Sequence, residues 1–473
     1  MDDISKNIKK VLIIFFLLFC LLISYFSYFI VVKGPSVAKN TNNKRLWAKR
    51  NEVLRGTIYD RNMTALTKSE KINTLTQKRE YTGGALFAHA LGYVNQKYGI
   101  TGLESTYDDD LMADNELSFW DLWKNKGVDK EKVGHSIETT LDSNVQKAAY
   151  DLLGDRKGAV VALNPKTGEI LAMVSKPSFD PNNLDTIWSS INSDKNRPLL
   201  NRAVSGLYPP GSSFKVVTTT SALQNLPGID NEIFHDTGKL YFNSKYSLSN
   251  FGGEVNGDIN LKQALQVSSN FVFGTIAGRL GNSKLKATAE SYGFNKSIKG
   301  NGIIVDNSRF PTIPSTEPGN IAQSGIGQSS ILATPMQMAL VASTVANGGV
   351  MMKPNLVKKV MTYDGKTIST VQAEILNTVT TKDIAAEIGS YMRGVVTSGT
   401  GRAASVAGVE VAGKTGTADH SDDGNSTPHA WFIGFAPYSN PTVAVAVIVE
   451  DGGQGGIAAA QITSGVIKTA LGK

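Results

Sequence analysis

The sequence predicts an α+β, or α/β sandwich, fold: one antiparallel sheet flanked by helices, with a helical subdomain, behind an N-terminal transmembrane helix and a small accessory module. Three observations predict it. An uncharged apolar run fills 11–32. Apolar β-hairpins stand near both ends of the long C-terminal part, Gly158 to Val174 and Ala430 to Glu450. Between them the pattern turns helical, and strands supplied by both ends of a domain around a helical insertion close into one sheet.

The run Val11 to Val32 has about the length at which a helix crosses the ~30 Å hydrocarbon core of a bilayer. Ser36-Val37-Ala38 resembles a signal-peptide cleavage site, but the run exceeds the ~7–15 residues of a signal core, so an uncleaved anchor with a short tail at 1–10 is expected. Charge alone argues for a cytoplasmic domain: Lys6, Lys9 and Lys10 precede the span, whereas Lys33, Lys39, Lys44, Arg45, Lys49 and Arg50 follow it. Long domains translocate largely regardless of charge, so topology rests on what the domain does. Residues 33–54 read as a basic linker, 55–142 as an accessory module of short β-like pieces, and 151–473 as one α/β unit.

In that unit Gly158 to Leu163 is a strand, Asn164 to Gly168 a turn, and Glu169 to Val174 the return. Ala430 to Ala436 and Thr442 to Glu450 form the second hairpin, with another strand expected at Val409 to Ala412. Thr334-Pro335 starts a helix as cap and first residue, and Asn347-Gly348 ends it. A last helix, about Ala458 to Leu471, is long enough to cover one face of the sheet.

Composition narrows the chemistry. The chain has 473 residues, 41% of them hydrophobic, with 48 basic and 41 acidic side chains for a net charge of +7. The single cysteine, Cys20, lies in the apolar run, which excludes a disulfide framework, a multi-cysteine zinc site and a CxxC redox pair. Five histidines, none at metal-ligand spacing, argue against a histidine metal centre. No cofactor or metal is expected, and the work falls to hydroxyls, amines, carboxylates and amides.

Two motif readings share residues. Gly408 to Thr415 fits GxxxxGK[ST], but Val409-Glu410-Val411-Ala412 alternates like a strand and no helix can follow at Gly416 to Gly424, so it is a chance match. The other reading starts at Ser212-Ser213-Phe214-Lys215. SxxK also occurs at Ser36 to Lys39 and Ser283 to Lys286, and only at 212 does a turn, Tyr208-Pro209-Pro210-Gly211, lead into an apolar helix. Residues three apart share a helix face, so Lys215 stands beside the Ser212 hydroxyl. Burial, a helix N-terminus and a second lysine all disfavour its charged form, so its pKa should fall and a neutral Lys215 can take the Ser212 proton where other enzymes use histidine. A bland reading makes Ser212 an N-cap and Lys215 a surface lysine, but a cation is poorly placed in a first turn. Ser268-Ser269-Asn270 closes the amphipathic run Leu261 to Val267, and Lys414-Thr415-Gly416-Thr417 continues the strand beginning at Val409 and sets a cation and two hydroxyls on an extended edge, with Gly416 leaving room for a ligand.

SxxK, then SxN, then KTGT in one domain is the set found in penicillin-binding proteins and serine β-lactamases. Over nearly its whole length the sequence resembles a class B penicillin-binding protein, a peptidoglycan D,D-transpeptidase. The likeness includes Asn201-Arg202-Ala203, Ile326-Gly327-Gln328, and Trp431 to Pro437. It extends upstream to Arg55-Gly56-Thr57-Ile58-Tyr59-Asp60-Arg61-Asn62 and Gly102-Leu103-Glu104. Met63 and Ser329 depart from it, standing where glycine is common.

The resemblance implies the penicillin-binding transpeptidase fold and a set of roles. Ser212 attacks the penultimate D-Ala carbonyl of a stem peptide ending in D-Ala-D-Ala, with Lys215 as base and Ser268 relaying the proton to the leaving amine. Asn270 fixes Lys215 and the substrate amide, and the N–H groups of Ser212 and Thr417 hold the oxyanion. Lys414, Thr415, Gly416 and Thr417 bind the terminal carboxylate. A second stem's amine resolves the acyl-enzyme, and β-lactams acylate the same serine. The expected partners are peptidoglycan stem peptides, β-lactams, the membrane and a membrane-embedded glycan polymerase of the shape, elongation, division and sporulation type, with no nucleic acid. The accessory module would touch that polymerase, and its deletion is expected to leave a remainder that still binds penicillin. The stretch before Tyr150 is too short for a glycosyltransferase domain. Because cross-linking occurs outside the membrane, the domain is expected to be extracytoplasmic and the N-terminus cytoplasmic. A D,D-carboxypeptidase, a β-lactamase or a non-enzymatic β-lactam sensor stands as the alternative. Trp431, Phe432 and His429 read as structural, and His420 lies in a polar loop near the third motif.

Overall fold

Strands that read as unbroken apolar runs belong where both faces of a sheet are covered. In the structure, a computed structural model describing residues 2–34, 47, 50–73, 76–113, 132–419 and 427–473, five strands form the central sheet. They are β1 (Gly158–Leu163), β2 (Ile170–Lys176), β3 (Ala412–Ala418), β4 (His429–Ala436) and β5 (Val443–Val449). Their order is β2-β1-β5-β4-β3, antiparallel at every pairing. The helices that frame the site are α1 (Ser143–Leu153), α2 (Lys215–Asn225), α3 (Leu261–Val267), α4 (Asn270–Ser291), α5 (Pro335–Ala346), α6 (Lys382–Thr397) and α7 (Ala458–Ala470).

The two-residue period of a strand sorts its side chains between two cores. Val161 of β1 and Ala446 and Ile448 of β5 join the core closed by α5, whereas Val160 and Val447 join the one closed by α1 and α7. Each fully buried valine or isoleucine contributes roughly 1.5–3 kcal/mol. The result is the sandwich expected, with α2, α3, α4 and α6 as the helical part beside edge strand β3.

Two expectations shift. The strand expected to begin at Val409 and to continue through the KTGT motif does run through that motif but begins at Ala412, because Val406 and Val409 close a turn around Gly408. The start of the C-terminal unit near Asp151 falls inside α1, which Asp142 caps through Asn144 N and Val145 N and which packs on α7 and β2.

The accessory module is tied into the rest by a second sheet ordered Thr367–Thr370, Val357–Met361, Ser136–Thr139, Ile58–Tyr59. Deleting 55–142 therefore strips a strand, Ser136–Thr139, from Val357–Met361, so the clean separation expected from the sequence is not available. In that module Glu104, fully buried, accepts from Arg55 Nε at 2.6 Å and Arg79 Nε at 2.8 Å, which explains why Arg55 and Glu104 stand out in the sequence. The N-terminal helix Asp2–Tyr28 continues as a π-helical turn, Phe29–Lys33, and is long and apolar enough to cross a membrane. Most of the 33–54 linker, Ser36 to Lys39 and His420 lie outside the described residues.

Candidate active site

The nucleophile turn is pinned from several sides. Ser212 sits in the 3-10 turn Gly211–Phe214, which runs directly into α2 at Lys215. Gly211 adopts φ +53°, and a Cβ there would lie 2.4 Å from Thr417 O, so only glycine lets the turn close on β3. Gly211 N donates to Gly327 O at 3.0 Å, and Trp431 Nε1 donates to Pro209 O at 2.9 Å. Tyr208 OH donates to Glu450 Oε1 at 2.7 Å, and Arg202 Nε reaches the same oxygen at 2.6 Å. Trp431 and Phe432 are fully buried and His429 nearly so, which matches their structural reading.

The second motif forms a corner. Asn260 and Gln263 build a capping box that starts α3, and Ser268 ends it in the left-handed conformation at φ +61°. Such a conformation costs a non-glycine residue about 1–2 kcal/mol. Ser269 then caps α4, whose first residue is Asn270.

The structure brings the three motifs together. Lys215 and Lys414 are both fully buried. Lys215 Nζ donates to Ser268 O at 2.6 Å and Asn270 Oδ1 at 2.7 Å, and stands 3.2 Å from Ser268 Oγ. Lys414 Nζ donates to the same Ser268 Oγ at 2.9 Å and to Thr415 O at 2.9 Å. One hydroxyl thus links two amines. Burial, then the Lys414 charge, pushes Lys215 well below the ordinary lysine range, with Asp236 opposing. Burial pushes Lys414 down to about 7. A neutral Lys215 uses two N–H groups on its two carbonyl acceptors and keeps a lone pair for a hydroxyl proton. Among the described residues, none of the Lys215 hydrogen bonds goes to Ser212 Oγ, so the adjacency expected from SxxK is one of position, not of a formed bond.

A cleft of about 970 Å³ opens above this arrangement, lined among others by Ser212, Ser268, Asn270, Thr415 and Thr417. The two lysines lie beneath its floor. The space left at Gly416 is taken by the nucleophile turn, since a Cβ there would be 2.9 Å from Pro210 O and 3.1 Å from Ser213 N. Gly416 therefore sets how closely Ser212 approaches β3, and the room expected for a ligand is not there. The other SxxK copy that the structure describes, Ser283 to Lys286, lies along α4, with Lys286 donating to Thr312 Oγ1 at 2.7 Å on the surface. Lys414 and Thr415 lie mid-strand, which disposes of the nucleotide-loop match.

Ser212 and Ser268 line the cleft while Lys215 and Lys414 are buried, and comparison with known proteins names the family. The family described as Penicillin binding protein transpeptidase domain matches residues 158–468. The chain belongs to the class B penicillin-binding proteins. The family described as Penicillin binding protein A dimerisation domain matches residues 55–137 of this penicillin-binding protein. It is similar to the peptidoglycan D,D-transpeptidase PbpA of Mycolicibacterium smegmatis, 37% identical over 415 residues that cover 83% of this chain and 84% of that protein. Among solved structures it resembles the ceftriaxone acyl-enzyme complex of penicillin-binding protein A from M. tuberculosis, with a TM-score of 0.85 and 32% identity, covering 90% of this chain and 100% of that one. A D,D-transpeptidase domain from Eggerthella lenta is likewise similar, with a TM-score of 0.80 and 34% identity over 89% of this chain and 99% of that one.

Sequence reasoning missed residues that shape the site. Thr400 lines the cleft, its Oγ1 2.7 Å from Thr415 Oγ1, and its only signal is a hydroxyl between Gly399 and Gly401. Asp236, Asn250 and Asn256 also escaped, because their links to the second motif cross loops with no fixed spacing.

Proposed function

We propose that this class B penicillin-binding protein is a membrane-anchored peptidoglycan D,D-transpeptidase working through a Ser212 acyl-enzyme. The observation that carries the reading is Ser268 Oγ bridging Lys215 and Lys414 beneath the cleft that Ser212 enters. Ser212 Oγ attacks the penultimate D-Ala carbonyl, its proton passing to Lys215. The C–N bond to the terminal D-Ala breaks, and the proton reaches the leaving amine through Ser268, leaving an ester on Ser212. The amine of a second stem then attacks that ester, forming the cross-link amide and returning the proton to Ser212.

At the start of a 3-10 turn the Ser212 N–H has no intrahelical acceptor, which leaves it for the oxyanion together with Thr417 N–H. Such donors contribute a few kcal/mol each. Thr415 and Thr417 offer hydroxyls to the substrate carboxylate, with Lys414 supplying charge from below. Asn270 Oδ1 orients Lys215. β-Lactams, whose strained amide imitates the substrate bond, acylate the same oxygen.

The cross-linking substrate lies outside the cytoplasm, which supports a cytoplasmic N-terminus and an extracytoplasmic domain despite the basic residues after the span. We assign residues 55–142 the role of a pedestal that meets a membrane-embedded glycan polymerase, a reading supported by family resemblance. Muropeptide analysis of cell wall from a depletion strain tests the reaction. Fewer cross-linked dimers are expected, whereas unchanged cross-linking with longer stems would identify a carboxypeptidase.

A further inference from the structure

One buried carboxylate has no part in the acyl-transfer scheme. Asp236 ends the short strand Phe234–Asp236 and is fully buried. A carboxylate removed from water is costly unless its lone pairs are met, and here every partner is a donor. Oδ1 accepts from Gly238 N at 2.8 Å and Asn250 Nδ2 at 2.9 Å. Oδ2 accepts from Asn256 Nδ2 at 2.6 Å, Ser269 Oγ at 2.7 Å and the same Asn250 amide at 2.9 Å.

Two of these partners lead to the second motif. Asn250 Oδ1 accepts from the backbone N–H groups of Asn270 and Phe271 at 2.7 and 3.0 Å, and Ser269 Oγ accepts from Val272 N at 3.0 Å. The orphan donors at the start of α4 are thus satisfied by side chains that Asp236 holds. Ser268 and Asn270, on either side of Ser269, carry the atoms that engage Lys215. Ser268 keeps its left-handed backbone only because its surroundings over-determine it.

We propose that Asp236 is a positioning residue for acyl transfer: through Ser269 and Asn250 its carboxylate pins the Ser268-Ser269-Asn270 corner in the shape that presents Ser268 Oγ and Asn270 Oδ1 to Lys215. Charge matters as well as shape, because an amide in its place would turn an NH2 toward donors. Burial works against the carboxylate's charge, but hydrogen bonds from Asn256, Ser269, Gly238 N and Asn250 outweigh it and keep Asp236 ionised. Of the charged groups that act on Lys215, Lys414 drives its proton off and Asp236 retains it.

The inference rests on Lys215 acting as the base for Ser212, and one experiment separates the two. Acylation of the full-length protein by a fluorescent penicillin is followed from about pH 5 to 9, with thermal unfolding as the check on folding. D236N is expected to acylate ~10- to 100-fold more slowly. Its acid limb should also move to lower pH, since the charge that retains the Lys215 proton is gone. N256A, which removes the donor 2.6 Å from Asp236 Oδ2, is expected to slow acylation several-fold. A folded D236N that acylates at the native rate, or that slows with an unmoved acid limb, overturns the proposal. Where D236N does not fold, N256A acylating at the native rate overturns it. A native protein that takes no label removes the acyl-transfer reading and this inference with it.

Discussion

Ser268 Oγ stands 3.2 Å from Lys215 Nζ and 2.9 Å from Lys414 Nζ, so one hydroxyl separates two amines that would both be charged in water. Burying them opposes folding. Lys414 binds its proton less tightly in the fold, about 7 against 10.5, so between those values the unfolded chain holds more protons. Stability therefore rises with pH across that window and is lost as pH falls from 10.5 toward 7. Lys414→Met is expected to stabilise the fold at neutral pH by about 1–2 kcal/mol, after its lost hydrogen bonds are counted, seen as a higher thermal midpoint. The same change should slow acylation ~100-fold, and a lower midpoint would contradict the electrostatic account. That Lys215 and Lys414 meet in one buried cluster was legible because their motifs stand in a recognisable order in a chain with no cysteine outside its apolar run. Asp236 was not, since a single aspartate between motifs looks like any turn residue, and its function depends on loops that bring Asn250, Asn256 and Ser269 to it.

Among the elements, those with complete apolar alternation or explicit caps were legible to the residue or nearly so. β1 occupies Gly158–Leu163 and α5 occupies Pro335–Ala346, as read from sequence. Only the start of β3 was misplaced, because Val409-Glu410-Val411 alternates like a strand although the chain still turns there, whereas its course through Lys414 to Thr417 was expected and is held by pairing with β4 and cover from the nucleophile turn. The two departures from the family pattern also have a physical reading: Met63 and Ser329 take φ of +62° and +64°, the region that favours glycine. In the accessory module the Arg55–Glu104–Arg79 cluster holds its pieces together. Burial would raise the Glu104 carboxyl, but Arg79 and Arg55 bring it below the usual range, so it stays charged opposite them. Glu104→Gln takes the carboxylate from buried Arg79 while Arg55 keeps Asp108 at 2.6 Å, and is expected to cost about 3 kcal/mol, measured as a lower thermal midpoint. An unchanged midpoint would mean that solvent already screens the cluster. The Glu104 contribution is full above the ordinary carboxylate pKa of 4.5 and is lost as pH falls below it.

At the scale of the whole molecule, an apolar N-terminal helix leads to an accessory module that is woven by Ser136–Thr139 into the catalytic part. The long apolar N-terminal helix was legible from composition, whereas the sheet that ties 58–59 and 136–139 to 357–370 was not, because its strands come from segments far apart in sequence. Long-range pairing of short strands leaves little periodicity to read. The whole architecture serves one proposed step, a covalent ester on Ser212. The most direct measurement is the intact mass of the full-length protein after incubation with penicillin, followed by peptide mapping. One penicillin per chain on the peptide containing Ser212, and none on a folded Ser212→Ala protein, is the predicted result. An adduct that persists in Ser212→Ala, or that maps to another residue, would contradict the claim.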